Sequence, residues 1–245
     1  MMNETTKLLL DHMSIRSYLD KPVPREMIET IIDCAQAAPT STHFQSYTII
    51  EVTDPQTRKE LAECGGGQRW VIQAPVVLLF CADLHRAERY FENIDPKTLG
   101  NAESYTVAVI DSAIAIQNAL VAARSMGLGG VIVGGIRNEM ERVSEMFKLP
   151  PLVAPLNALC LGFPSEVPGK KPRLPKEMVF KKDFYNEGDD EALMQKYNEE
   201  VSAYYDRRTG GKEKDRWTER CGRMLMTKPR EHVAAFLHSI GLDTH

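Results

Sequence analysis

The run APVVLLFCAD, Ala74 to Asp83, carries no charge until its last residue. A strand with one wet face alternates polar and apolar side chains, whereas an unbroken apolar run describes a strand covered on both faces. The chain must therefore bury a sheet between two covering layers. With 245 residues, 43% of them hydrophobic, it has the material for such a core, as one large domain or two small ones.

The flanking segments supply the layers. VPREMIETIIDCAQAA places Met27, Ile28, Ile31, Ile32 and Ala35 at helical spacing, with Pro24 near the start. SYTIIEVTD reads as a β-branched strand. In DPQTRKELAECGGG, Asp54 is an N-cap, Pro55 suits the first helical position and Gly65 ends the helix. Tyr105 to Gly130 is a long helical pattern, small and apolar almost all round, as in a helix buried in the core or in a subunit contact. GVIVGGIRN is a strand running into a glycine turn, RNEMERVSEMFKLP an amphipathic helix stopped before Pro150, and LNALCLGFP a last strand. Strands alternating with helices around one main sheet give an α/β or α+β class. After Pro164 the composition changes: a proline-bounded PGKKPRLP, an acidic NEGDDE, then three helices. This last third reads as a helical extension wrapped on the sheet or on a partner chain.

Several function classes fall away. A net charge of −4 gives no reason to expect nucleic acid. Five cysteines, odd in number and without a C-x-x-C pair, favour reduced thiols over a disulfide framework or a zinc site. The longest uncharged apolar run, Ala74 to Ala82, is too short to cross a bilayer, and no signal-peptide pattern is seen, so the expectation is a soluble, cytoplasmic protein without membrane contact. There is no G-x-G-x-x-G, no phosphate-binding G-x-x-x-x-G-K-[ST], no H-E-x-x-H and no G-x-S-x-G. No metal site is expected, and no catalytic dyad emerges.

What remains are polar stations between well-patterned apolar elements. In HMSIRSYLDKP, extended backbone would put His12, Ser14 and Arg16 on one side, the donors that gather around a phosphate, although a solvated strand end has the same pattern. APTSTHFQS offers small hydroxyl residues that serve as a cap and turn or let a flat ligand approach the backbone. GGGQRW holds Gln68, whose amide donates and accepts, on a glycine turn. VIVGGIRN leaves the amides of Gly134 and Gly135 unshielded at a strand end, beside Arg137. In KKPRLP, Pro172 keeps the chain extended, so Lys171 and Arg173 point the same way, as an anion clamp or a solvated basic linker.

The ordered set HMSIRSY, GGQRW, VIVGGIRN and KKPRLP, together with YYDRRTGGKEKDRW, resembles the FMN-dependent nitroreductase superfamily, closest to its NADPH-preferring oxygen-insensitive nitroreductase and flavin reductase group. The resemblance covers nearly the whole chain. It implies an α+β fold with a single mixed, mainly antiparallel sheet flanked by helices, one domain over residues 1–245 whose 165–245 portion is an extended and helical excursion. It also implies a homodimer with non-covalent FMN at the subunit interface. His12, Met13, Ser14 and Arg16 would contact the cofactor, joined by Lys171 and Arg173. Thr40 and Ser41 would reach it across the interface, Gln68 would hydrogen-bond the isoalloxazine ring, and Ile132, Val133, Gly134 and Gly135 would lie along it. A cation near N1 of the ring stabilises the anionic reduced flavin, with Lys171 as the candidate and Arg16 as the alternative. Arg137 and Arg208 match positions for the nicotinamide nucleotide, Arg208 on a mobile loop. The implied activity is ping-pong transfer of two electrons from NADPH, or from NADH, to a small acceptor such as a nitroaromatic, quinone or free flavin. A flavin-binding store or sensor without turnover is the alternative. The chain departs from the pattern at Met13, where relatives carry arginine, and at Glu213, where a second basic residue is common.

Overall fold

In a computed structural model of the chain, which describes residues 2–227 and 229–242 (backbone only at Pro96), the apolar run around Leu78 is a central strand of a four-stranded sheet. The elements run α1 (Glu4–Leu10), α2 (Arg25–Gln36), β1 (Tyr47–Glu51), α3 (Pro55–Cys64), α4 (Arg69–Gln73) and β2 (Val76–Asp83). Next come α5 (His85–Tyr90), α6 (Pro96–Leu99), α7 (Ala102–Ser125), β3 (Gly129–Val133), α8 (Met140–Met146) and β4 (Val153–Gly162). After these lie α9 (Lys176–Val179), α10 (Asp190–Thr209), α11 (Trp217–Thr227) and α12 (His232–Ser239). The sheet order is β1-β2-β4-β3, and each of these pairings is antiparallel.

All eight residues of β2 are buried, and their alternation sorts them between two layers. Val76, Leu78 and Phe80 pack with Ile28 and Ile31 of α2 and with Ala115, Ala119 and Leu120 of α7. Val77, Leu79 and Cys81 pack with Leu61, Val71 and Val143 of α3, α4 and α8. Both faces are thus covered, as the unbroken run requires. Asp54 caps α3 by accepting from the Thr57 amide at 2.7 Å, with Pro55 next to it. Gly65 is the C-cap, and the left-handed turn falls on the next two glycines, Gly66 (φ 81°) and Gly67 (φ 77°).

The long helix α7 starts at Ala102, three residues before its sequence pattern begins, because Asn101 caps it by accepting from Ser104. By length and composition it could span a bilayer, yet half of its most apolar window is buried inside the protein. Its small side chains let α2 and the sheet approach closely, and Asn118 donates to the Cys34 carbonyl of α2. The helix expected from Arg137 onward begins as a 3-10 turn, Gly134–Glu139, before α8. Strand β4 starts earlier than its apolar pattern, at Val153, and holds a bulge. Phe80 faces Asn157 while Cys81 faces Pro155, leaving Leu156 as the extra residue.

By contact the chain forms two compact units, Met1–Val167 with Arg230–His245, and Pro168–Pro229. In the first, α12 returns to bury Phe236 and Leu237 against Leu84 and Met140. In the second, α10 and α11 face each other through Tyr197 and Trp217, whose rings lie 6.0 Å apart.

Candidate functional site

The His12–Pro22 stretch lies outside the helices and strands, with a bend at Asp20 and one isolated bridge from Tyr18 to Pro164. It is pinned along its length. Arg124 donates to the carbonyls of Leu8 (2.8 Å) and Asp11 (2.9 Å) just before it. The Ile15 amide donates to Gly130 of β3 at 3.0 Å, and the Tyr18 hydroxyl donates to the carbonyls of Ile15 and Cys160. Ile15 is buried against Gly129, where an added Cβ would come within 2.5 Å of its side chain. Alternation then turns Arg16 the other way, and its guanidinium lies over the Trp70 ring, 5.3 Å from the centroid. No carboxylate pairs with Arg16 among the described residues.

Trp70 belongs to the GGGQRW station, and that station also meets VIVGGIRN. The Gln68 amide nitrogen donates to the Gly65 carbonyl at 2.7 Å. This fixes the amide orientation and leaves its oxygen as an acceptor without a partner among the described residues. A Cβ on Gly135 would stand 2.3 Å from Gln68 Nε2 and 2.7 Å from the Gly65 oxygen, so the two glycine turns are in contact. Just before them, Ile132 is 37% exposed between Val131 and Val133, which are buried. The result is an apolar step on the outer strand β3, ending in a bare glycine turn.

Arg137 braces that turn. Its Nη1 donates to the bulged Leu156 carbonyl at 2.5 Å and to Asn157 Oδ1 at 3.0 Å. Burial, with Arg230 beside it, lowers its pKa from the usual arginine value. A cavity of about 500 Å³ opens next to the turn, lined by Asn138, Glu139, Arg142, His232 and Phe236.

Thr40 and Ser41 are elsewhere in the first unit, in a loop whose Ser41 amide donates to Asp111 of α7. Lys171 and Arg173 belong to the second unit. Both are exposed, outside the helices and strands, and line a cavity of about 900 Å³ with Tyr197, Tyr205, Trp217 and Arg220. Other cations of this unit have carboxylates: Lys181 with Asp190, Arg220 with Glu213 and Arg223 with Asp215. Lys171 and Arg173 have none among the described residues.

The comparisons with known proteins decide the family. The Nitroreductase family model matches residues 9–163, and the model for the Nitroreductase family, C-terminal domain, matches 171–245. The chain belongs to the nitroreductase family. This nitroreductase is 40% identical to an FMN reductase (NADPH) of Bacillus subtilis, over 99% of both chains. It is also 40% identical to an oxygen-insensitive NADPH nitroreductase of Salmonella typhimurium, over 99% of this chain and 100% of that one. Among solved structures, a Bacillus subtilis nitroreductase superposes with a TM-score of 0.95 at 38% identity, covering 99% of this chain and 100% of that one. The NADPH:FMN oxidoreductase of Vibrio harveyi, in complex with NAD+, gives 0.90 at 35% identity, over 99% and 100%.

One expectation about this nitroreductase needs correcting. Arg208 lies in the last turn of α10 and not on a mobile loop. Its Nη1 donates to the Tyr204 hydroxyl at 2.7 Å. The two glycines act as helix terminators, with Gly210 in the left-handed region at φ 61° and Gly211 at φ 87°. The segment after them is tied back by Ser202 to the Lys214 carbonyl and by the Glu213 amide to Thr209. Sequence reading also passed over Trp70, Arg86 and Asp111. Only Asp111 left a trace, as the one acid in the apolar pattern from Tyr105 to Gly130.

Proposed function

We propose that this chain is an FMN-dependent NADPH oxidoreductase, acting as a cytoplasmic homodimer that passes two electrons to a small acceptor such as a nitroaromatic, quinone or free flavin. The observation that carries this reading is the β3 edge, where exposed Ile132 leads into the Gly134–Gly135 turn against the Gln68 amide, with Arg16 over Trp70 of the same GGGQRW station. These residues fit FMN. Ile132 forms an apolar support for a flat ring, with the backbone of Val133 next to it, and the bare glycine amides permit close approach. Gln68 Oε1 is an acceptor held ready for a ring N–H. Arg16, which pairs with no carboxylate among the described residues, is assigned to the phosphate, and His12, Met13 and Ser14 adjoin it in sequence. Lys171 and Arg173, in the second unit, are assigned to the phosphate from the family pattern alone.

Bound FMN supplies the two-electron chemistry, so the side chains need only bind, orient and set the local potential. Donor and acceptor then take turns at one opening, which gives ping-pong kinetics. Thr40 and Ser41 lie apart from the β3 edge in the first unit, and we assign them to the partner subunit's cofactor. The relatives named for NADPH support the choice of donor.

The test is direct. The purified protein should sediment as a dimer carrying flavin absorbance, and anaerobic NADPH should bleach that absorbance within seconds. A colourless protein that gains no colour with FMN would refute the reading, and a yellow protein that NADPH does not bleach would make it a flavin store.

For donor choice, Arg208→Ala should raise KM for NADPH by roughly tenfold or more while leaving NADH nearly unaffected, since one charge-assisted contact to the 2′-phosphate is removed. Equal changes for both donors, in steady-state kinetics, would place recognition of that phosphate elsewhere.

A further inference from the structure

The hydroxyl loop is bent against the preference of its residues. Thr42, His43 and Gln45 have φ of 47°, 61° and 55°, in the left-handed region that L side chains rarely adopt. Such a conformation persists only where the surroundings over-determine it. Here the surroundings are two charged groups. Asp111, on α7, is 1% exposed. Its Oδ1 accepts from the Ser41 amide at 3.0 Å. Its Oδ2 accepts from the Ser46 amide at 3.2 Å and the Ser46 hydroxyl at 2.8 Å. From the other side Arg86 donates to the carbonyls of Gln45 (3.1 Å) and Tyr47 (3.4 Å).

Asp111 has no cationic partner among the described residues. A buried carboxylate is costly unless hydrogen bonds satisfy it, and alanine or serine would suit the packing of α7 equally well. Among the described residues, all three hydrogen bonds to the Asp111 carboxylate come from the loop. Meanwhile the Ser41 hydroxyl, exposed at the bend, has no partner among the described residues.

We propose that Asp111 is a positioning residue for flavin binding: it holds the 40–46 loop, with Thr42, His43 and Gln45 left-handed, so that the Thr40 and Ser41 hydroxyls meet FMN already ordered. This rests on the FMN reading and deepens it. Ordering a loop before the ligand arrives removes that cost from binding.

The test uses Asp111→Asn and Ser46→Ala in the full chain. FMN affinity is measured by fluorescence titration, the visible circular dichroism of bound FMN at saturation, and loop order without FMN by amide hydrogen exchange. Asp111→Asn should raise the FMN Kd by about tenfold or more, because a charged acceptor of several bonds is lost. It should also alter the flavin dichroism and speed exchange in 40–46 while the sheet keeps its protection. Ser46→Ala, which removes one bond of the three, should shift each quantity in the same direction by less. An unchanged Kd in Asp111→Asn would overturn the proposal, whatever the loop does. If Asp111→Asn loses protection throughout the fold, Ser46→Ala decides, and a wild-type Kd there overturns it. Failure of the wild-type protein to bind FMN would instead refute the underlying reading.

Discussion

Gly135→Ala should yield a folded protein that binds FMN and riboflavin roughly tenfold or more weakly, by the same factor for each, in fluorescence titrations. The reason is contact and not backbone freedom, since the φ of Gly135 is not in the positive region. A Cβ there meets two atoms of different mobility. Gln68 Nε2, at 2.3 Å, ends a flexible side chain and can swing away. The Gly65 oxygen, at 2.7 Å, is backbone and cannot. Swinging Gln68 away breaks its bond to Gly65, and keeping it forces the two glycine turns apart. Overpacking of this kind costs about 1–3 kcal/mol of stability, and either response moves the acceptor intended for the ring. The effect should be blind to the phosphate, which is what makes riboflavin informative. Unchanged flavin affinity alongside lowered stability would confine Gly135 to packing.

That contact illustrates what a single sequence makes legible. The β2 run announced cover on both faces because strand alternation is local, and the alternate residues do divide between two helical layers. The caps at Asp54 and Gly65 were equally local. Each polar station could be found as a break in apolar patterning. Their assembly could not, because Arg16 on Trp70 and Gly135 on Gln68 are tertiary contacts that no period encodes. Arg208 was misplaced for a related reason: paired glycines mark both flexible loops and helix ends, and only φ distinguishes them. The bulge at Leu156 was hidden inside a strand that is apolar but for Asn157, yet it supplies the carbonyl that braces Arg137. Asp111 was passed over because its worth lies in a loop far along the chain.

The cations should give the opposite pattern from Gly135. Arg16→Ala, and separately the double variant Lys171→Ala with Arg173→Ala, should weaken FMN by roughly 10- to 100-fold and leave riboflavin nearly unaffected, because hydrogen bonds to an ionised phosphate contribute about 1.5–3 kcal/mol each. Arg16 is held for such a role. It is stacked on Trp70, so little side-chain freedom is lost on binding, and no carboxylate competes for it among the described residues. Met13 sharpens the expectation. With no arginine at that position, fewer charges share the phosphate and each remaining one should matter more. Met13→Arg should then tighten FMN, and the loss on Arg16→Ala should shrink in that background. Raising salt should weaken FMN binding in the wild-type protein more than in the double variant, since exposed charges are screened. If riboflavin and FMN fall together in Arg16→Ala, the arginine supports the ring through Trp70 and does not bind the phosphate. If neither falls, His12–Arg16 is a solvated edge after all, and the phosphate is bound elsewhere.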